Sequence, residues 1–208
     1  MTSADKVPLL RPASQVPGLL EFITGRWSPR AFEPRPVEPD KLLRIFEAAR
    51  WAASSFNEQP WHYFVASRDD AHRAKIESFL VEANSWAKVA PVLVVASAST
   101  IFSRNGKPNP VGIHDLGLAD AWMTLQALQE GISVHGMAGF DTARAQVELR
   151  MPGDWRAVAM WAMGYPGSQE SLVEPLRSRE LEPRTRRPLS ETVFAGETGK
   201  AHSVFARG

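Results

Sequence analysis

Apolar and polar positions along the chain follow a helical spacing in two long segments. In residues 40–53 the apolar residues recur at intervals of three and four, which predicts an amphipathic helix. Its apolar face consists of Leu42, Ile45, Phe46, Ala49 and Ala53. Residues 114–130 show the same spacing, and Gly131 is well placed to end that helix. The apolar face predicted there consists of Leu118, Ala121, Trp122, Leu125 and Leu128.

Shorter apolar runs predict strands at 61–67, 91–98 and 156–164. The middle run is apolar at nearly every position, which indicates a strand buried on both faces. The remaining elements are predicted as helices at 17–24, 70–87 and 142–150, the last capped by Asp141, and as a strand that runs into a loop at 132–141. Because helices interrupt short strands and no strand follows residue 164, we expect an α+β protein rather than a doubly wound parallel sheet.

Composition narrows the class of protein. The chain of 208 residues has 44% hydrophobic and 23% charged residues and a net charge of +1, which gives no basis for bulk attraction to nucleic acid or membrane. It contains no cysteine, which excludes disulfides, thiolate metal sites and a cysteine nucleophile, and we expect a cytoplasmic protein. The longest apolar run, 90–98, is too short to cross a bilayer, and the N-terminus lacks the layout of a secretion signal.

The length suits one domain with arms. We expect a loose N-terminal arm at 1–16, a single domain at 17–194 and a tail at 195–208. Within the domain, residues 165–194 are polar and arginine-rich with little periodic pattern, and this stretch is too long for an ordinary loop. It is either disordered or packed over something, and a partner subunit is one candidate.

Two arginine-bearing segments are candidates for binding an anion. In "GRWSPR" (25–30), Pro29 favours extended backbone, so Arg26, Ser28 and Arg30 point to one side and Trp27 to the other. Two guanidiniums and a hydroxyl match the charge and acceptor oxygens of a phosphate. In "RTRRPLSE" (184–191), alternating arginines precede a second proline and could close over the same anion. The alternative for both is a solvated basic surface.

Two further loops are candidates for binding a polar heterocycle. The stretch "AASSFNEQPWHYF" (52–64) offers hydroxyls and amides, which both donate and accept hydrogen bonds and do not titrate near neutral pH. The two glycines of "HGMAGFD" (135–141) permit backbone amides to approach a ligand. The alternative for the first loop is that its serines cap nearby backbone groups, and the alternative for the second is an ordinary tight turn. The five histidines show no metal-ligand spacing, and no nucleophile–base pair is recognisable, so the chemistry would belong to a bound cofactor.

These motifs, in this order, resemble the FMN-dependent nitroreductase family over residues 18–194. An R-x-S-x-R segment is followed by a helix that ends in S-S-x-N-x-Q-P-W at 54–61, then by N-x-W-A at 84–87 and A-P at 90–91. A G-F-D element at 139–141 and R-x-R-[KR]-P at 184–188 complete the resemblance. The sequence departs from many members at Trp27 (basic there), Ala53 and Gly136 (proline there) and Ala138 (acidic there), while the phosphate-binding residues are intact.

The resemblance implies a nitroreductase-like fold, with a central mixed, largely antiparallel sheet flanked by helices, and a homodimer whose C-terminal arms extend onto the partner. It implies FMN as cofactor and NADPH or NADH as electron donor, with hydride passing in a ping-pong reaction through flavin N5 to a nitroaromatic, quinone or flavin. No side chain would be catalytic. The implied cofactor-binding residues are Arg26, Trp27, Ser28, Arg30, Ser54, Ser55, Asn57, Gln59, Asn84, Ala138, Gly139, Arg184 and Arg186.

Within this resemblance each loop has an expected role. The arginines and Ser28 would hold the ribityl phosphate, Asn84 would contact the pyrimidine edge, and amides near Ala138 and Gly139 would face N5. Ser54, Ser55 and Asn57 would reach across to the partner's flavin. Three alternatives stay open: another flavin reaction such as dehalogenation or heterocycle oxidation, a non-enzymatic flavin- or nucleotide-binding protein, and a structural protein with solvated arginine tails.

Overall fold

A four-stranded sheet forms the centre of the structure. The structure is a computed structural model and describes residues 8–12 and 16–205. Its strands lie in the order β1-β2-β4-β3, and each of the three pairings is antiparallel. The strands are β1 (Trp61–Ser67), β2 (Val92–Ser99), β3 (Ser133–Met137) and β4 (Trp155–Gly164). The predicted α+β class and largely antiparallel sheet are confirmed, and the described residues contain no parallel pairing in this sheet.

Strand β2 lies between two hydrophobic cores. Val94 and Ala96 point into one core, and Leu93 and Val95 point into the other, because successive side chains of a strand face opposite sides. All four side chains are completely buried. The predicted strand buried on both faces is therefore confirmed.

Helices cover both faces of the sheet. The α-helices of the described residues are α1 (Glu21–Gly25), α2 (Pro39–Arg50), α3 (Arg73–Glu77), α4 (Gly112–Gln129), α5 (Thr142–Glu148) and α6 (Leu176–Leu181). Short 3₁₀ segments occur at Ser55–Asn57, Glu82–Val89, Gln169–Ser171 and Leu189–Glu191. Helix α5 starts as predicted, because the Asp141 carboxylate accepts the Arg144 N–H at 2.9 Å. Gly131, with φ of 77°, follows α4.

The predicted apolar face of α4 was wrong in part. Leu128 is buried and Leu118 packs against the core as predicted, but the other buried apolar residues are Leu116, Ala119, Met123 and Ala127, which pack against α2 and the sheet. Trp122 is 51% exposed, and Ala121 is also exposed. Helix α4 is apolar on more than one side, so spacing alone could not identify the side that faces this sheet.

The helix predicted at 70–87 is interrupted. Helix α3 ends at Glu77, and a separate 3₁₀ segment covers Glu82–Val89. Between them the backbone pairs with the loop after β3, because Leu80 forms a bridge with Phe140 and the Asp141 N–H donates to the Phe79 carbonyl at 2.8 Å. These tertiary hydrogen bonds replace those that a continuous helix would form. The helix predicted at 17–24 is also shorter and begins at Glu21.

The described N-terminal residues and the start of the predicted C-terminal arm pack on the domain. Arg11 N–H donates to the Gly25 carbonyl at 2.7 Å, so residues 8–12 are held in place, and the rest of the expected N-terminal arm up to residue 15 lies outside the described residues. At the other end, Gly167 N–H donates to the Ala31 carbonyl at 2.9 Å. The expected tail is described to residue 205 and forms a turn closed by the Phe194–Ala201 bridge, whereas 206–208 lie outside the described residues.

Candidate functional site

The segment that links α1 to α2 presents two arginines and a serine on one side. Trp27 is 6% exposed and Pro29 is buried, while Arg26, Ser28 and Arg30 are half-buried. This alternation follows from the extended backbone that Pro29 favours. The Arg26 guanidinium donates to the Ser28 hydroxyl at 3.1 Å, so both polar groups lie at one spot.

A buried carboxylate on α6 fixes this segment. Glu180 is 1% exposed, and its Oε1 accepts the backbone N–H of Arg30 at 2.7 Å and of Ala31 at 3.1 Å. Its Oε2 lies 3.7 Å from the Arg30 guanidinium. His135 of β3 contacts the Pro29 carbonyl, and burial lowers the pKa of His135 to about 4. The neutral ring at pH 7 therefore donates its Nδ1–H to the Pro29 carbonyl, 2.9 Å away.

A cavity of about 260 Å³ lies over this segment, and we call it the arginine cavity. It brings both predicted arginine segments together within one chain. Its lining consists of Arg11, Arg26, Trp27, Ser28, Arg30, Arg179, Glu182, Pro183, Arg184 and Arg186. Burial and the neighbouring Arg184 and Arg186 charges lower the pKa of Arg26. Like charges gathered in a partly desolvated cavity indicate a site for an anion.

The arginines of this cavity differ in how their donors are used. Arg184 donates to the carbonyls of Thr24, Gly25 and Arg11, so it joins the C-terminal arm to the N-terminal segments. Arg11 donates to backbone carbonyls of α6 and stacks over Trp27. Among the described residues, Arg26 and Arg186 each have one hydrogen-bond partner, and it is a serine hydroxyl or a neighbouring carbonyl. These two side chains retain the donors that an anion would use.

Trp27 lies on the other side of its segment. Its indole N–H donates to the Pro8 carbonyl at 2.8 Å, and its ring packs with Ala31 and Leu172. Trp27 also lines the arginine cavity, and the Arg11 guanidinium lies 4.5 Å from the centre of its ring. The structure therefore gives Trp27 a packing position.

A larger cavity of about 660 Å³ adjoins the arginine cavity and shares Arg26 and Ser28 with it. We call it the helix-side cavity, because α4 forms one wall. Its lining is mostly apolar and consists of Ile23, Arg26, Ser28, Gly117, Asp120, Ala121, Thr124, Leu125, Gly136 and Trp161. The two cavities together place a cationic end beside an apolar, aromatic-walled space.

Asp120 is a buried carboxylate in the wall of the helix-side cavity. It is 7% exposed, and its Oδ1 accepts the Tyr63 hydroxyl at 2.9 Å. Burial raises the pKa of Asp120 to about 7, against the opposing effects of Tyr63 and Trp161. The Trp161 N–H lies near this carboxylate but forms no hydrogen bond of normal geometry with a described residue.

Three of the predicted residues meet at the loop after β3. The Asn84 side chain donates to the Gly139 carbonyl at 2.8 Å, next to Ala138. A Cβ at Gly139 would come within 2.8 Å of the Asn84 amide nitrogen, so glycine permits this close approach. The adjacent Trp86 ring lies 4.6 Å from His135 and 5.9 Å from the Arg30 guanidinium, which links this loop to the arginine segment.

The loop with Ser54, Ser55, Asn57 and Gln59 lies elsewhere in the chain. Ser54 and Ser55 line a separate cavity of about 320 Å³, and neither borders the arginine cavity or the helix-side cavity. Asn57 and Gln59 are exposed. The single chain therefore does not bring this loop together with the arginines.

Several residues of the site were not predicted from the sequence. Arg11, Arg179, Glu180 and Asp120 come from segments that show no motif. A signal was present only for Asp120, since an acidic residue in the middle of an otherwise apolar helix usually has a buried partner or a function. The described residues contain no cluster of side chains suited to a metal ion and no helix long and apolar enough to cross a membrane.

Comparisons with known proteins agree with this architecture. A family profile described as the nitroreductase family matches residues 23–88. A crystal structure described as an oxidoreductase containing FMN is 33% identical, has a TM-score of 0.85 and covers 96% of this chain and 100% of its own. A nitroreductase family protein from Clostridium novyi NT is 27% identical, has a TM-score of 0.60 and covers 70% of this chain and 85% of its own.

A third structure shares the fold at lower identity. It is a variant of the FMN and NADPH-dependent nitroreductase NfnB from Sphigopyxis sp. strain HMH, 20% identical with a TM-score of 0.67, covering 85% of this chain and 97% of its own. The sequence motifs, the antiparallel sheet and the relative that matches along its whole length all lead to one assignment. The chain belongs to the nitroreductase family.

Proposed function

We propose that the protein is an FMN-dependent oxidoreductase that uses NADH or NADPH to reduce a small electron-poor acceptor such as a nitroaromatic, a quinone or a flavin. The observation that carries this proposal is the pair of adjoining cavities that share Arg26 and Ser28. A cationic end beside an apolar space suits a molecule with a phosphate at one end and a flat heterocycle at the other.

The residues of the arginine cavity fit a phosphate. Arg26, Arg30 and Arg186 would hold it through charge-assisted hydrogen bonds, with the Ser28 hydroxyl as a further donor. Arg184 would act mainly by holding the C-terminal arm against Thr24. Burial of Arg26 and repulsion from Arg184 and Arg186 lower its pKa, and attraction to a bound dianion would offset both costs.

The loop after β3, which lines neither cavity, would contact the heterocycle at its edge. Asn84 would contact its pyrimidine edge, and its hydrogen bond to Gly139 orients the amide. Backbone amides at Ala138 and Gly139 are the candidate donors at the reactive edge. When bound, FMN would supply the hydride transfer between the nicotinamide and the acceptor, so no side chain of this chain need act as nucleophile or metal ligand.

We further propose that the protein is a homodimer with two shared sites. The exposed apolar face of α4, with Trp122, Ala121 and the half-buried Leu118 and Leu125, is an unusual surface for a lone chain. A partner packed on this face would bring its loop at 54–59 towards the flavin. Ser54, Ser55, Asn57 and Gln59 would then contribute to the partner's site. The C-terminal arm predicted at 165–194 contacts its own domain through Gly167 and Arg184, and from residue 185 on it would extend onto the partner.

The first experiment is the visible spectrum of the purified protein after incubation with FMN and removal of excess flavin. Anaerobic NADH or NADPH should bleach the bound-flavin spectrum, and a nitroaromatic or quinone should restore it. Bound flavin that neither nicotinamide can bleach would exclude the reductase and leave a different flavin reaction. A protein that binds no flavin would contradict the whole proposal.

A further inference from the structure

The loop predicted to contact the partner's flavin presents an aromatic ring on a strained backbone. Phe56 has φ of 55° and is 73% exposed. Asn57 and Gln59 also have positive φ, at 56° and 50°, so three of the four non-glycine residues with positive φ among the described residues lie in this loop. Left-handed backbone at a bulky aromatic is costly, and such strain concentrates at functional sites.

Local hydrogen bonds hold this loop in its shape. The Ser55 N–H donates to the buried Asp115 carboxylate of α4 at 2.9 Å. The Gln59 N–H donates to the Ser54 hydroxyl at 3.0 Å, and the Gln59 amide donates to the Asn57 carbonyl at 3.1 Å. The exposed position of Phe56 is therefore fixed by the loop and is not a chance orientation of a free side chain.

A second loop contributes an aromatic and a cation at the same place. The Phe102 ring meets Phe56 edge-on, with centroids 6.0 Å apart. The Arg104 guanidinium lies over both rings, 4.2 Å from Phe56 and 5.2 Å from Phe102. The Ser103 N–H donates to the Glu58 carboxylate at 2.5 Å and so joins the two loops.

The Arg104 guanidinium lies against ring faces, and it forms no ion pair with a carboxylate of the described residues. Cation–π contact uses the flat face of the guanidinium and leaves its N–H donors at the edge for an incoming anion. The exposed Phe56 ring beside it offers a stacking surface. A planar ring that carries a negative group matches both features.

We infer that Phe56, Phe102 and Arg104 form a specificity element for aromatic acceptors that carry a negative charge, such as nitroaromatic carboxylates. The ring of the acceptor stacks against Phe56, and its anionic group pairs with Arg104. The inference rests on the proposed function, because it places the loop at 54–59 over the flavin held by the partner. It assigns a substrate class to a site whose acceptor is otherwise open.

The test compares two acceptors of similar size with the FMN-loaded enzyme, 4-nitrobenzoate and 4-nitrobenzyl alcohol. Arg104→Gln should raise the KM for nitrobenzoate about tenfold, the loss expected for one charge-assisted contact, and leave the KM for the alcohol unchanged. Lys107→Gln is the matched control, because Lys107 is an exposed cation of the same loop that lies over neither ring. Its KM values should equal those of the wild type.

Phe56→Gly supplies a second test that does not threaten the fold. Glycine accepts φ of 55° without strain, so this variant should fold at least as well as the wild type and show a higher KM for both acceptors. Unchanged KM values in both Arg104→Gln and Phe56→Gly would overturn the inference.

The proposed function and this inference can fail separately. Flavin content and bleaching by nicotinamide report on the proposed function, and reduction of the neutral alcohol reports on turnover. If these are normal and Arg104→Gln raises only the KM for NADPH, Arg104 belongs to the donor site and the inference is wrong. A protein that takes up no FMN would overturn both.

Discussion

Glu180 and Arg30 are joined across 150 residues of sequence by a hydrogen bond of 2.7 Å from the Arg30 N–H to the Glu180 carboxylate. The same oxygen accepts the Ala31 N–H, and the carboxylate is almost completely inaccessible to solvent. Helix α6 thereby determines where the arginine segment lies in relation to the C-terminal arginines. The geometry of the candidate anion site depends on this contact, although Glu180 is itself negative.

Replacing Glu180 should loosen the arginine segment. Glu180→Ala leaves two partly or fully buried N–H groups unsatisfied, which costs roughly 1–3 kcal/mol of unfolding free energy for each. We expect weaker FMN binding and a lower melting temperature, whereas Glu180→Gln, which keeps an acceptor, should lose less. Titration with FMN and thermal unfolding measure both effects. Glu191→Ala, at an exposed position of the C-terminal arm, should change neither.

Removing the two arginines with spare donors should abolish cofactor retention. We expect Arg26→Gln with Arg186→Gln to purify without flavin, since each charge-assisted contact to a phosphate contributes roughly 1.5–3 kcal/mol. Riboflavin, which lacks the phosphate, should bind equally weakly to variant and wild type. Arg187→Gln is the control, because Arg187 is exposed and does not line the cavity. A double variant that purifies with bound flavin would exclude the arginine cavity as the phosphate site.

A charge on the exposed face of α4 should separate the proposed dimer. Trp122 is 51% exposed in the single chain, and burying a glutamate at its position would leave a charge without a partner. Trp122→Glu should therefore be monomeric in sedimentation velocity and should lose FMN, because both loops of a shared site are needed. Leu43→Glu, at a residue 70% exposed on α2, should leave the mass unchanged. A Trp122→Glu protein with wild-type mass would place the interface elsewhere.

Asp120 should make stability depend on pH. Its pKa is raised from 3.8 to about 7 in the folded protein, so the folded state holds a proton that the unfolded chain has released. The contribution of Asp120 to the unfolding free energy is complete below about pH 4. It falls by about 1.4 kcal/mol for each pH unit above that and is lost once the pH passes 7. Asp120→Asn can still accept the hydrogen bond from the Tyr63 hydroxyl. Its unfolding free energy, relative to that of the wild type, should therefore be higher at pH 8 than at pH 5. Parallel pH curves in urea unfolding would contradict this.

Gly167 should tolerate no side chain. A Cβ there would lie 2.6–2.8 Å from the backbone of Phe32, which cannot move without displacing the arginine segment. Gly167→Ala should lose roughly 1–3 kcal/mol of unfolding free energy and weaken FMN binding. Gly153→Ala is the matched control, because a Cβ there meets nothing within 4 Å. Equal unfolding free energies of the two variants in urea would contradict this prediction and show that the Phe32 backbone can move to accommodate the Cβ.

The elements with strong local signals were predicted well. The Asp141 cap of α5, Gly131 after α4 and the doubly buried β2 all follow from residue type and spacing, because capping, positive φ and burial on both faces are local requirements. The side of the extended segment on which Arg26, Ser28 and Arg30 lie was predicted for the same reason. Pro29 restricts the backbone, and an extended backbone alternates its side chains.

Other features depend on contacts between distant segments. The break between α3 and Glu82 arises because the backbone at Leu80 pairs with Phe140, and nothing in residues 70–87 indicates that pairing. The buried side of α4 was also undetermined, since an apolar helix has no polar face to orient it. The contacts of Arg184 and Trp27 could not be predicted for a related reason, because their hydrogen bonds go to carbonyls of Thr24 and Pro8 that are remote in sequence.

Residue types and their spacing are enough to identify the family motifs, the fold class and the charge of the candidate anion site. The three-dimensional fold is needed to show that Glu180 fixes the arginine segment, that Asp120 is buried in the adjoining cavity, and that Arg104 lies over Phe56. Residue type and spacing set what a short segment can do on its own. Burial, pKa and the choice of hydrogen-bond partner depend on which distant segments are brought together, and packing alone decides that.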